Sequence, residues 1–190
     1  MSNIVISDDP GHSQSTRALL GELRQQAAEL AKDYESLETD VKRLRDTDPV
    51  KLTEPDIAMV REIPIRRLYS ARRELALRQR VQSEWFPKSR EDRAVSAMRA
   101  EQLYRDQVER VRQKLIAAGF LDGLLPDTNL KGIDDQHVHR HPEVRAAKGE
   151  MEAARNRVNN RDIEQLNETA IAELTKQMEG FKQRTIAALA

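Results

Sequence analysis

Apolar residues recur along this chain at helical spacing, most regularly between Leu20 and Leu44. Leu20, Leu23, Ala27, Leu30, Tyr34, Leu37, Val41 and Leu44 follow one another in steps of three and four. A row with that average spacing stays on one side of a helix and forms the seam of a coiled coil. Ser15 or Thr16 can cap its start, and Asp48 ahead of Pro49 favours extended backbone and ends it. The pattern predicts a helix over 16–46. Residues 1–15 before it read as a flexible tail, whose Asn3-Ile4-Val5-Ile6 could add as a strand to a partner's sheet edge.

Thr53-Glu54-Pro55-Asp56 reads as the start of a second helix, with proline tolerated in the first turn. Because Ile63 precedes Pro64, a short helix over 54–62 and a longer one over 65–85 are expected. Leu68, Ala71, Leu75 and Val81 face inward on the longer one, and Trp85-Phe86-Pro87 closes it. Ser89-Arg90-Glu91-Asp92 resembles another capped start, for a helix over 90–118. That helix carries a second seam, Ala94, Ala97, Glu101, Tyr104, Val108, Val111, Leu115 and Ala118, which is apolar or aromatic except at Glu101.

Residues 120–141 show no period, yet Phe120, Leu121, Leu124, Leu125, Leu130 and Ile133 suit a loop packed on the bundle. A long C-terminal helix over 142–190 starts at Pro142, and Asn159-Asn160 can bend or interrupt it. Beyond that point Ile163, Leu166, Ala170, Leu174, Met178, Phe181 and Thr185 follow an eleven-residue repeat, which keeps a helix nearly straight. The expected fold is all-α: long coiled-coil-type helices in an antiparallel bundle or hairpin, a bundle domain over 16–119 and one packed irregular loop.

Composition agrees with long helices that bury one stripe and wet the rest. Hydrophobic residues are 38% of the 190 and aromatics 4%, while charged residues reach 34%, against a typical charged share of about 25%. The formal net charge is zero, so the whole molecule exerts little long-range pull on nucleic acid or an anionic membrane. Cysteine is absent, which removes disulfides, thiol catalysis and Cys-based zinc sites. No signal-peptide pattern or membrane-length apolar run is present, and a cytoplasmic location is the resulting expectation.

Motifs that carry chemistry are sparse. No Gly-x-Ser-x-Gly and no phosphate-cradling glycine loop occurs, and the expectation is a non-enzyme without cofactors. His137, His139 and His141 alternate, so in an extended segment all three would share one side, where imidazoles can share a Zn²⁺ or Ni²⁺ ion. The solvated-loop alternative is favoured by Arg140 in their midst. Residues 54–75 have the cadence of a divergent helix-turn-helix, with Arg66, Arg67, Ser70 and Arg73 on the outer face of its second helix. Residues 61–93 hold ten Lys/Arg against five Asp/Glu, a local excess of five positive charges. Against DNA binding stand Glu62 where the turn usually has glycine and the alternation of Arg with Glu along a solvated face.

The leading expectation is a structural or adaptor protein that self-associates through its seams, as a homo-oligomer, or docks onto a helical partner. Its interaction residues would be Leu20, Leu23, Leu30, Tyr34, Leu37, Val41 and Leu44, with Tyr104, Val108, Val111 and Leu115 on the second seam.

Overall fold

The computed structural model describes Ile4, Ile6, Asp9, residues 11–118 and residues 131–189. Among them every regular element is helical, and the fold is an all-α helical bundle. The elements are α1 (Gln14–Asp46), a 3₁₀ turn (Pro49–Lys51), α2 (Glu54–Arg80), a π-helical turn (Val81–Trp85), α3 (Phe86–Ala117), α4 (Lys131–Arg140), α5 (Pro142–Asn159) and α6 (Asp162–Leu189). Two compact units divide them, one comprising Met1–Ser89 with Arg161–Ala190, the other Arg90–Asn160.

In the first unit α1 and α6 both pack on α2. Ser13, not Ser15 or Thr16, caps α1: its hydroxyl accepts from the Thr16 backbone N–H at 3.3 Å. The Leu20–Leu44 row turns inward as expected, with Leu20, Leu23, Leu30 and Leu37 buried and Ala27, Tyr34, Val41 and Leu44 half-buried. Their cover comes from the same chain. Leu20, Leu23 and Leu30 join Leu77, Val81, Trp85 and Phe86 in one apolar cluster.

Charge sets the register between these helices. Arg66, Arg73 and Arg80 recur every seven residues on α2. They meet Asp40 at 2.5 Å, Asp33, and Glu22 at 2.9 Å on α1, a descending order that makes the pair antiparallel. Ladders of this kind flank an apolar seam and select orientation more than they add stability.

The structure corrects the expected helix breaks. Helix α2 runs through Pro64 without a turn at 62–64. A proline inside a helix costs about 3 kcal/mol through its missing N–H and its clash with the carbonyl four residues back. Burial of Leu68, Ala71 and Leu77 within the helix outweighs that local cost. The Thr185 hydroxyl of α6, 2.9 Å from the Phe181 carbonyl, also lies 3.1 Å from the Pro64 carbonyl. Pro87 is accommodated differently: the preceding turn widens to π-helical register, with the Phe86 N–H reaching the Val81 carbonyl. The wider turn relieves the ring at the point where α-helical spacing would drive it into a carbonyl. It also lets the adjacent Trp85 and Phe86 enter the core together, and Ser89 lies buried inside α3 instead of capping it.

Two further findings concern the ends. Part of the expected tail is packed: Ile6 is buried in the α1–α2 core, Ile4 rests against it, and Arg24 donates to the Ile6 carbonyl at 3.2 Å. The helix expected over 142–190 is interrupted at the Asn159-Asn160 pair, α5 ending at Asn159 and α6 starting at Asp162, with Asn160 in extended backbone. On α6 it is Asn167, not Leu166, that faces inward. Its amide donates to the Arg78 carbonyl at 3.0 Å, just ahead of the π turn, whereas Leu166 is exposed. With Thr185 beside Pro64, this runs α6 antiparallel to α2.

In the second unit, Val111 of α3, Val138 of α4 and Val144 of α5 are fully buried together, with Tyr104, Val108 and Leu115 packed around them. The second seam is therefore also covered from within the chain. Glu101, its polar exception, binds Arg105 at 2.6 Å and Arg155 at 3.1 Å. Residues 131–140, expected as irregular loop, are helical; residues 120–130 lie outside the described residues.

The start of α2 offers a direct test of local structure. Asp56 accepts from the Thr53 hydroxyl at 2.6 Å and the Thr53 backbone N–H at 3.0 Å, and pairs with Arg43 of α1 at 3.0 Å. Those hydrogen bonds, and after them the Arg43 charge, hold its carboxyl below the usual aspartate range. A carboxyl depressed in the folded state stabilises above the unfolded value near pH 4, and the benefit disappears as pH falls through the folded value. Urea denaturation from pH 6 to pH 3 should show Asp56→Asn less stable than the parent at pH 6, with the gap closing towards pH 3. A gap independent of pH would leave the ionised cap without a role.

Candidate functional site

Because α1 and α6 both lie on α2, a trough of about 670 Å³ opens between them. Tyr34, Leu37 and Val41 form the α1 wall, and Ala170, Leu174 and Phe181 the α6 wall. Arg67, Glu74 and Arg78 of α2 make the floor, while Glu38, Lys42, Arg45, Glu173 and Gln177 stand along the sides. The twelve residues from Tyr34 to Arg45 extend roughly 16 Å along the axis, about three turns.

The floor holds a closed polar network. Arg78 is almost fully buried, and its Nε and Nη2 donate to Glu74 Oε1 at 2.9 and 2.8 Å. The Tyr34 hydroxyl donates to Glu74 Oε2 at 2.9 Å. Burial first, and then the neighbouring carboxylate, push the Tyr34 phenol far above its ordinary range, so it remains a neutral donor. Carboxylate, guanidinium and phenol are thus spent on one another. What the trough offers an occupant is its apolar walls and its flanking charges.

The sequence-derived candidates distribute elsewhere. Of the expected DNA-facing set, Arg66 binds Asp40 and Ser36, Arg73 binds Asp33 and Glu29, and Ser70 is buried. Only Arg67 is left, and it lies in the trough. The helix-turn-helix is corrected to one continuous helix, and three arginines of the basic excess of 61–93, Arg66, Arg73 and Arg80, are paired with acids of α1. The histidine reading fails for a related reason. In the helical segment 131–140 alternate positions lie about 200° apart instead of on one side. His139 stacks on Tyr104 with its Nδ1 3.2 Å from the hydroxyl, and His141 caps α5 by accepting from the Glu143 N–H. Among the described residues no three His, Asp or Glu side chains are grouped to hold a metal ion.

A buried pair in the first unit resembles a nucleophile with its base: His12 Nε2 lies 2.9 Å from Ser89 Oγ. The opposite nitrogen decides its role. Nδ1 accepts the Asp9 backbone N–H at 3.2 Å, so the ring proton sits on Nε2 and the imidazole donates to the serine. Such a histidine holds the N-terminal segment in place and does not activate Ser89.

The trough residues that sequence reading missed come mainly from α6. Leu174 and Phe181 were visible as an apolar stripe, and Glu74-x-x-x-Arg78 as an i,i+4 pair. Nothing along the chain showed that they would face Tyr34. Compared with protein-family models, with curated proteins and with solved structures, the chain gives no match. No helix among the described residues is long and apolar enough to cross a membrane.

Proposed function

We propose that the chain is a non-enzymatic adaptor that receives an amphipathic helix of a partner protein in the trough between α1 and α6. The observation that carries this reading is the trough itself: two parallel helices on a common third, with facing apolar walls and no helix of the first unit laid between them. Helices pack at about 8–10 Å between axes, and a groove between two of them is the site a fourth helix fills in a bundle. Amphipathic helices dock into such grooves through apolar side chains at i, i+3, i+4 and i+7. Self-association through Leu20–Leu44 is the less supported branch, because the chain's own core already buries Leu20, Leu23 and Leu30.

The test uses a fluorescently labelled 16-residue peptide with a leucine row on one helical face. Its anisotropy should rise on titration with the full chain. Gln177→Trp, at an exposed position on the trough's α6 side, should fill the space and weaken binding by at least about tenfold without changing helicity. No binding, or binding that the tryptophan leaves untouched, rejects the docking role.

A further inference from the structure

The charges around the trough are unevenly distributed. Asp40 meets Arg66, and Pro64 meets Thr185, so Lys42 and Arg45 of α1, Arg67 of α2 and Phe181 of α6 come to the same end. Arg184 joins them, its guanidinium 5.1 Å over the Phe181 ring. Arg45 is paired with Asp46 at 3.0 Å. Lys42, Arg67 and Arg184 have no acidic partner among the described residues, and Glu38 is the one carboxylate of the α1 side near them. Towards the other end the charges cancel: Glu74 neutralises Arg78, and Glu173 stands above them.

We infer that the trough selects an acidic amphipathic helix, one whose apolar row meets Leu37, Val41, Leu174 and Phe181 while carboxylates at one end meet Lys42, Arg67 and Arg184. The inference rests on the docking reading and adds the partner's chemistry to it. Lys42, Arg67 and Arg184 form a local positive region in a chain of zero net charge, and a partner carboxylate gains attraction from it as it binds. Two of the three are arginines, whose planar forks take a carboxylate through two parallel hydrogen bonds. The apolar walls exclude water beside that contact and strengthen it, while leucines in the partner supply the bulk of the buried area. A fatty acid offers the same two chemistries but suits the trough less well: its tail would end against the Tyr34–Glu74–Arg78 network instead of an apolar floor.

The experiment compares three labelled 16-residue peptides with the same leucine row, whose flanking positions at one end are all Glu, all Gln or all Lys. Against the full chain in low salt, the Glu peptide should bind at least about tenfold more tightly than the Lys peptide, and 0.5 M NaCl should narrow the difference. Lys42→Glu combined with Arg67→Glu should reverse the order. Both side chains are exposed, so the far-UV circular dichroism should not change. If all three peptides bind equally and Gln177→Trp still blocks them, the charge selection is wrong while docking stands. If none binds, both fail. Dodecanoate displacing the Glu peptide at a lower concentration than the unlabelled peptide does would overturn the proposal in favour of a lipid ligand.

Discussion

Trp85→Ala should destabilise the first unit by about 3–5 kcal/mol, the range for removing a large aromatic from a core that cannot collapse around the loss. The site leaves little room for relaxation. Trp85 is 1% exposed, edge-on to His12 at 5.9 Å and to Phe86 at 5.0 Å, and part of the cluster that joins α1, α2 and the π turn. Trp85→Phe separates size from polarity. The indole N–H is buried with no acceptor, a standing cost that phenylalanine removes. The expected loss for Trp85→Phe is therefore only about 1 kcal/mol, despite the smaller ring. Urea denaturation followed at 222 nm decides the matter, since the chain has only one tryptophan to report by fluorescence. A Trp85→Phe loss well above the expected one would mean that the N–H is satisfied in solution.

The long rows of leucine and alanine were legible because each sums many small preferences, and tertiary packing had no reason to override all of them. The first seam faces inward along its length, and the second does so around Val111. Single-residue signals fared worse, and the two prolines explain why. Pro64 and Pro87 were read by a local rule whose cost is about 3 kcal/mol each. A helix anchored on both sides by α1 and α6 recovers more than that, by continuing through Pro64 and by opening one π turn before Pro87. The histidine spacing misled in the same way, because its meaning depends on whether residues 131–140 are extended or helical.

The trough lay beyond the sequence for a different reason. It is made by α1, α2 and α6, and Tyr34 and Leu174 are separated by 139 intervening residues. Periodicity says which face of a helix is buried but not against which helix. The closest available clue was the seven-residue spacing of Arg66, Arg73 and Arg80 opposite Glu22, Asp33 and Asp40, which specifies the α1–α2 pairing. No comparable charge ladder marks α6, whose placement rests on Asn167, Thr185 and a short apolar stripe.

The floor of the trough supplies the other large effect. Glu74→Leu should cost about 3 kcal/mol, the lower part of the range for removing one partner of a buried ion pair. The lower part applies because Glu74 keeps 12% of its side-chain exposure and the trough admits water. The loss comes less from the missing attraction than from leaving the nearly buried Arg78 guanidinium without its carboxylate. Glu74→Leu with Arg78→Leu should therefore recover most of the stability that the single change removes, since replacing both charges by apolar groups is close to neutral. A double variant as unstable as the sum of the singles would show that the pair acts through something other than charge. Tyr34 supplies an independent readout. After burial, the Glu74 carboxylate holds the Tyr34 pKa up, both by accepting its hydroxyl proton in a hydrogen bond and by its negative charge. Without that carboxylate the phenol should ionise at lower pH, seen as an earlier phenolate rise at 295 nm, whereas an unchanged titration would place the Tyr34 hydroxyl away from Glu74 in solution.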